Sequence, residues 1–337
     1  MQLISIIIPC FNEQKRIRGL LESLSAQTYP HEKIEILIAD GLSTDRTREE
    51  IIAFLQTSSD LKIKIIDNPK RTIPAGLNVA IRSSHGDILV RIDAHSKPYP
   101  DYIERCVDAL TNGLGENVGG VWEILPGENT WIANSIAKAA SLPLAVGDAL
   151  YRHASRPAYV ETVPFGSFKR ELIALIGFFN ESLLTNEDYE FNTRIRESGG
   201  RIWLDPKIRS QYFARANLID LSKQYWRYGF WKWKMLRKFP KTLRWRQALP
   251  PIFVISILLS LIISFYYNPF WILLICEILL YIIILIIGSI NISIKEKNPK
   301  LLVGIPLAIS TMHISWGLGF LWSMIILIPF RKKVSTF

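Results

Sequence analysis

Past Leu249 the chain turns almost wholly apolar, and that change limits what the rest can be. Residues 249–267 and 270–290 each match the ~20 apolar residues a helix needs to cross a bilayer. They meet at Asn268-Pro269, which reads as the turn of a spanning hairpin. A third apolar segment, residues 303–329, is interrupted by Pro306, Gly317 and Gly319, and reads as a single span or as a re-entrant segment. Seven Lys and Arg from Lys232 to Arg246 place the preceding soluble part in the cytoplasm. Lys295, Lys297 and Lys300 mark a second cytoplasmic loop. The basic tail Arg331-Lys332-Lys333 then ends outside for a single span and inside for a re-entrant one. His313 and Trp316 lie one turn apart in this segment, either as a functional pair or as polar groups satisfied between helices.

Just before the spans, residues 216–247 are crowded with Tyr225, Trp226, Tyr228, Phe230, Trp231 and Trp233, interleaved with Lys232, Lys234, Arg237 and Lys238. Such a mixture suits helices lying in a membrane interface among lipids. Basic residues between aromatics also suit RNA, but a hydrophobic tail starting a few residues later argues against a nucleic-acid partner. The expected division is therefore a domain over 1–215, interfacial helices over 216–247 and a membrane domain over 248–330. The formal charge of +10 fits an anionic membrane surface. Three scattered cysteines, with no paired spacing, exclude a disulfide scaffold or zinc site and fit a reducing compartment. The apolar run at residues 3–8 is too short for a signal peptide.

The first part of the chain alternates. Residues 3–8 read as a strand ending at Pro9, with Asn12 capping a helix that carries Ile17, Leu20, Leu21 and Leu24. Residues 34–39 read as a second strand, ending at Asp40-Gly41, and Asp45 opens a helix with Ile51, Ile52 and Leu55 inward. Residues 61–66 read as a third strand, followed by a helix with Pro74 in its first turn. Residues 88–92 are a fourth strand, ending in Asp93-Ala94-His95. Alternation of this kind implies a parallel, doubly wound α/β sheet, with ligands beyond the carboxyl ends of the strands. Pro9, Asp40 and Asp93 all fall at such ends and would converge on one crevice.

Asp93 and His95 stand two residues apart at a strand end, where alternation would point both to one side. A carboxylate and an imidazole so placed can grip a divalent cation; equally, they can be a turn cap and a solvated ring. Farther on, residues 118–125 read as a strand, 131–144 as an amphipathic helix and 159–163 as a strand. Gly166-Ser167 precedes a helix starting near Arg170, so its amides could face substrate. Tyr151, Arg152 and Arg156 are candidates to meet a phosphate, or form a solvated basic turn.

Several motifs carry a family resemblance. S-I-I-I-P-C-F-N-E at residues 5–13, A-D-G-L-S-T-D-R-T at 39–47, R-I-D-A-H at 91–95, N-E-D-Y-E-F at 186–191 and Q-Y-W-R-Y at 224–228 resemble family 2 glycosyltransferases. The resemblance covers roughly residues 3–240, and with E-T-V-P-F-G-S-F at 161–168 and R-I-W-L-D-P at 201–206 it is nearest to succinoglycan-type bacterial glucosyltransferases. It implies the GT-A nucleotide-sugar-binding fold, Rossmann-like with a mixed central sheet, followed by the interfacial and transmembrane helices. It also implies a nucleotide-sugar donor, a lipid-linked saccharide acceptor, other polysaccharide-assembly proteins as partners, and a catalytic domain on the cytoplasmic side of the inner membrane.

Residue by residue, the resemblance makes Phe11 the ring that stacks on the donor base and Asp40 the acceptor of a base N–H. Pro9, Glu13 and Arg71 join the donor side. Asp93 and His95 would hold Mn²⁺ or Mg²⁺, the imidazole favouring Mn²⁺. Asp188 would be the base that deprotonates the acceptor hydroxyl, and Glu187 would orient the acceptor or raise the Asp188 pKa by repulsion. Gln224, Arg227 and Tyr228 resemble a Q-x-x-R-W signature, with Tyr in place of Trp. Arg227 would hold the diphosphate and Tyr228 stack on the acceptor sugar, with Gln224, Gly166 and Ser167 beside it. The expected activity is an inverting, metal-dependent hexosyl transfer. The alternatives are transfer to polyprenyl phosphate, a non-catalytic membrane subunit of the same fold, and a metal phosphohydrolase, which would need more His and Asp ligands.

Overall fold

The structure is a computed structural model that describes residues 1–57 and 60–327. The tail Arg331-Lys332-Lys333, and with it the test of its side, lies outside the described residues. The chain divides into two compact units: Met1–Glu128 with Ala140–Ala214, and Asn129–Ala139 with Arg215–Phe337.

The first unit begins with β1 (Ile4–Cys10), α1 (Ile17–Ser25), β2 (Ile34–Asp40), α2 (Thr47–Thr57), β3 (Lys62–Asp67), α3 (Ile73–Ser83) and β4 (Ile88–Arg91). All seven residues of β1 are buried: β2 and β4 pair its two edges in parallel, and α1 and α3 cover its two faces. A strand covered on both faces needs an unbroken apolar run rather than an alternating one. On α1, Ile17, Leu20, Leu21 and Leu24 share the buried face; each such side chain stabilises by about 1.5–3 kcal/mol relative to exposure. On α2 the inward residues are Ile51 and Phe54, while Ile52 is half exposed. One residue advances a helix by about 100°, so Ile52 cannot share the face that Ile51 and Phe54 form. Asn12 does not cap α1. Its φ is +54°, its amide donates to Ser43 Oγ and its side chain bonds Thr44, so it ties the end of β1 to the turn after β2.

The chain continues with β5 (Ser96–Pro98), α4 (Tyr102–Thr111), β6 (Asn117–Leu125), α5 (Trp131–Ala140), α6 (Pro143–Val146), β7 (Ala158–Tyr159), β8 (Ser167–Lys169), α7 (Glu171–Ile176), α8 (Glu187–Glu197) and β9 (Ile202–Phe213). Among the described residues nine strands form one sheet in the order β3-β2-β1-β4-β8-β6-β9-β5, with β7 on β9. β3, β2, β1 and β4 are mutually parallel, whereas β8 is antiparallel to both β4 and β6. The sheet is therefore mixed, and the purely parallel pattern implied by alternation stops at β4. The strand expected at 159–163 is reduced to Ala158–Tyr159. β6 and β9 shift register between Gly119 and Val121. A Cβ on Gly120 would collide with the Ile208 carbonyl there, so the bulge requires glycine. The registers Cys10↔Asp40 and Asp40↔Asp67 align the carboxyl ends of β1, β2 and β3.

The second unit holds α5, α9 (Leu218–Leu236), α10 (Trp245–Ser264), α11 (Pro269–Lys295) and α12 (Leu301–Ile326). α10, α11 and α12 are each long and apolar enough to cross a membrane. α12 is continuous through Pro306, Gly317 and Gly319, and at 1.5 Å per residue it is roughly 39 Å long. Its glycines are contact surfaces rather than breaks. A Cβ on Gly319 would strike the Trp226 carbonyl, and one on Gly229 would strike that of Trp316, so α9 and α12 meet backbone to backbone. Ser222 and Ser315 hydroxyls join across the same contact at 2.9 Å. Lys232, one of the basic residues interleaved with aromatics and expected at a lipid interface, is instead buried and donates from Nζ to the Thr242 carbonyl at 3.1 Å, closing the turn after the helix. His313 Nδ1 lies 3.0 Å from the Tyr281 hydroxyl, and Trp316 Nε1 donates to the Gln247 carbonyl at 3.2 Å. Both side chains are thus satisfied by neighbouring helices. Lys138 of α5 pairs with Glu296 at the end of α11.

Candidate active site

The strand ends of the first unit carry the donor-side candidates. Pro9 is buried within β1, and Phe11, just past it, is 43% exposed, leaving a ring accessible to a base. Arg71, in a left-handed turn with φ +54°, holds its guanidinium carbon 6.0 Å from the Phe11 ring centroid. Beside them Asp40 is fully buried and heavily engaged. Its Oδ1 accepts from the Ser43 hydroxyl at 2.5 Å, and its Oδ2 from Ser43 N at 3.1 Å and Arg48 Nε at 2.5 Å. Arg48 reaches on to Asp67 Oδ1 at 2.5 Å. Asp40 therefore organises the turn into α2, and the accessible carboxylate at this end is Asp67, whose side chain is 65% exposed.

Asp93 and His95 do not continue a strand. β4 ends at Arg91, and Ser96 N donates to the Asp93 carbonyl at 3.0 Å, closing a turn that leads into β5. Strand alternation therefore does not set their directions; the turn does. Asp93 Oδ1 faces Arg91 Nη2 and Nε at 3.3 and 3.4 Å, and Oδ2 has no hydrogen-bond partner among the described residues. His95 Nδ1 lies 3.3 Å from Glu13 Oε1, so the carboxylate can orient the ring. Among the described residues no three His, Cys, Asp or Glu gather to hold a metal by themselves. An accessible carboxylate oxygen with a carboxylate-oriented imidazole fits a cation whose remaining ligands are phosphate oxygens and water.

The acid pair comes from α8. Asn186, in the left-handed region at φ +66°, turns the chain abruptly into the helix, so Glu187 and Asp188 stand in its first turn, where the dipole favours negative charge. Glu187 points inward: it is 4% exposed, and its Oε1 accepts from Arg91 Nη2 at 2.9 Å. It acts on Arg91 and is not placed to orient an acceptor. Asp188 is partly exposed and its Oδ1 accepts from Tyr189 N at 2.7 Å. Burial pushes both carboxyls above the usual carboxylate range, against the opposing pull of Arg91. For Asp188 the Asp93 charge adds to the rise, so burial, more than repulsion by Glu187, sets it.

Arg91 was not singled out in the sequence, yet it joins these groups. It is 4% exposed within the apolar run of β4, where a charge is seldom buried unless paired, and that anomaly was its readable signal. Gly166 and Ser167 stand differently from expectation. The Gly166 carbonyl accepts from Arg91 N at 3.0 Å, whereas the Ser167 side chain is sealed within β8. Arg152 is also buried, with Nη1 on the Ala140 carbonyl at 3.3 Å, which removes it from a solvated turn. Gln224, Arg227 and Tyr228 lie on α9 of the second unit; Gln224 Nε2 donates to the Tyr228 hydroxyl at 3.0 Å and Arg227 is exposed.

The carboxyl ends of the parallel strands thus carry an accessible ring, Phe11, with the carboxylates of Asp67 and Asp93. The sequence profile of glycosyl transferase family 2 matches residues 5–173, and the chain belongs to that family. It is 31% identical over 329 residues, 96% of this chain and 98% of the relative, to a Methanococcus voltae enzyme. That relative is the dolichyl N-acetyl-alpha-D-glucosaminyl phosphate 3-beta-D-2,3-diacetamido-2,3-dideoxy-beta-D-glucuronosyltransferase. It is 35% identical over 248 residues, 73% of each chain, to the succinoglycan biosynthesis protein ExoA of Rhizobium meliloti. Among solved structures, mannosyltransferase PcManGT from Pyrobaculum calidifontis, in complex with GDP-Man and Mn²⁺, superposes with a TM-score of 0.67 at 17% identity, over 95% of this chain and 87% of that one. The fold is GT-A, and the chain is a glycosyltransferase with three apolar C-terminal helices.

Proposed function

We propose that the protein transfers a hexose, with inversion, from a UDP-linked sugar to a lipid-linked saccharide at the cytoplasmic face of the membrane, with a divalent cation at Asp93 and His95. The carrying observation is the arrangement about Arg91, which lies between Asp93, read as the donor-side carboxylate, and an acid pair whose outer member, Asp188, is partly exposed. Phe11 stacks on the base, worth about 1–3 kcal/mol for an aromatic on a base. Asp188 accepts the proton of the acceptor hydroxyl as that oxygen bonds to the anomeric carbon. The anomeric carbon–phosphate oxygen bond breaks on the opposite side, and the nucleoside diphosphate leaves with the electron pair. A bound divalent cation would offset the charge that develops on that diphosphate.

Two relatives support the acceptor and the cation. The Methanococcus relative is named for a dolichyl-linked sugar acceptor, and the Pyrobaculum mannosyltransferase is described with GDP-Man and Mn²⁺. The basic residues before α10 and after α11 support a cytoplasmic catalytic unit. Purified protein given polyprenyl diphosphate-linked saccharides and bare polyprenyl phosphate separates the two acceptor readings. Transfer to the saccharide, with the product anomer opposite to the donor's by NMR, is expected. A retained anomer, or a product only with bare polyprenyl phosphate, contradicts the proposal.

A further inference from the structure

A guanidinium presents five N–H donors in a rigid fork, and burying it without partners is costly. Arg91 is buried and mounted on a fixed strand: its amide donates to the Gly166 carbonyl at 3.0 Å, and it pairs in register with Ile7 of β1. Its backbone is therefore fixed, and its guanidinium is held between two carboxylates from separate segments. One arm faces Asp93, in the turn after β4, and the same Nη2 donates to Glu187, the first residue of α8. Among the described residues the remaining nitrogen, Nη1, has no hydrogen-bond partner, and Arg91 lines a small pocket together with Asn117, Gly166, Asn192 and Asp188. Asn117 Oδ1, also buried, has no hydrogen-bond partner among the described residues either.

We propose that Arg91 is a positioning residue that couples donor binding to the acceptor side, by dividing one fork between Asp93 and Glu187. The coupling rests on the proposed reading of Asp93 as the donor-side carboxylate. When Asp93 turns to the donor's cation, Arg91 settles on Glu187 and holds the start of α8, with Asp188 beside it, in one geometry. Lysine could not do this, because one ammonium cannot present a planar pair of donors to two carboxylates at fixed angles. Linkage makes the effect reciprocal: if occupancy of Asp93 alters the hold on Glu187, then Glu187 alters donor affinity by the same factor. Glu187 thus influences nucleotide binding while contacting Arg91 rather than the donor.

The test is calorimetric titration of UDP, and separately GDP, with Mn²⁺, into the detergent-solubilised full chain. The proteins are wild type, Glu187→Gln, Arg91→Met and the double variant. Glu187→Gln frees Arg91 to draw Asp93 away from the cation, and should weaken Mn²⁺-dependent nucleotide affinity about fivefold or more, within the usual range of coupling. In the Arg91→Met background the same change should have almost no effect. An unchanged affinity in Glu187→Gln, or an equal loss in both backgrounds, overturns the proposal. Should Arg91→Met fail to melt cooperatively, Arg91→Lys replaces it; full coupling with lysine also overturns the proposal, and loss of most of it supports it. Wild type that binds neither nucleotide overturns the functional reading together with this one. Binding that ignores Glu187 overturns this inference alone.

Discussion

Asp188, Phe11 and Arg91 are each defined by where burial stops. Asp188 is the member of its pair that solvent reaches, so Asp188→Asn should lower transfer by about 10²–10⁴-fold, the usual share of a general base, with donor affinity kept. Measured nucleotide binding alongside turnover checks both halves. Because burial raises its pKa, Asp188 takes up a proton at a higher pH than an ordinary aspartate. Only the ionised form can accept a proton, so activity is lost as pH falls, and the acidic limb of kcat should lie above the usual carboxylate range of about 4. Phe11→Ala should weaken nucleotide binding by about 1–3 kcal/mol, read by calorimetry, with little change in melting temperature, since the ring is exposed. Asp93 and Asp188 stand out in the sequence as candidates because motifs carry them, and the structure brings both close to Arg91. Arg91 stood inside one of those motifs and passed as a strand residue, because its partner Glu187 lies 96 residues away and periodicity does not report such a pairing.

At the scale of elements, the alternation of apolar strands and helices revealed β1 to β4 and their parallel order. β5 and β8 were illegible and β7 was read too long, at 159–163, because strands of two or three residues are too short for any periodicity. They exist because neighbouring strands supply the pairing. Gly120 marks one consequence: Gly120→Ala would press a methyl on the Ile208 carbonyl and should destabilise by about 1–3 kcal/mol, as overpacking does, read as a lower melting temperature. Pro306, Gly317 and Gly319 looked like breaks in the third apolar segment, yet α12 runs through them. In a packed apolar helix, glycine is also the residue that lets a neighbour approach. Gly319→Leu should separate α9 from α12 and lower the melting temperature in detergent, whereas the same change at exposed Val303 should not.

For the whole molecule, a GT-A unit and a unit of long apolar helices together describe a glycosyltransferase built to work at a membrane. The proposed topology puts the loop after α11 on the same side as the catalytic unit. A cysteine at Lys297, in a variant with the exposed Cys276 replaced, should therefore be labelled by an impermeant thiol reagent from the cytoplasmic side only. The central claim is tested most directly by nucleotide release. Purified, detergent-solubilised protein would be given a panel of UDP- and GDP-sugars with a lipid acceptor extract, with and without Mn²⁺, beside Asp188→Asn. The account predicts Mn²⁺-dependent release from one UDP-sugar, absent in Asp188→Asn. Silence across the panel, or equal release by Asp188→Asn, would contradict it.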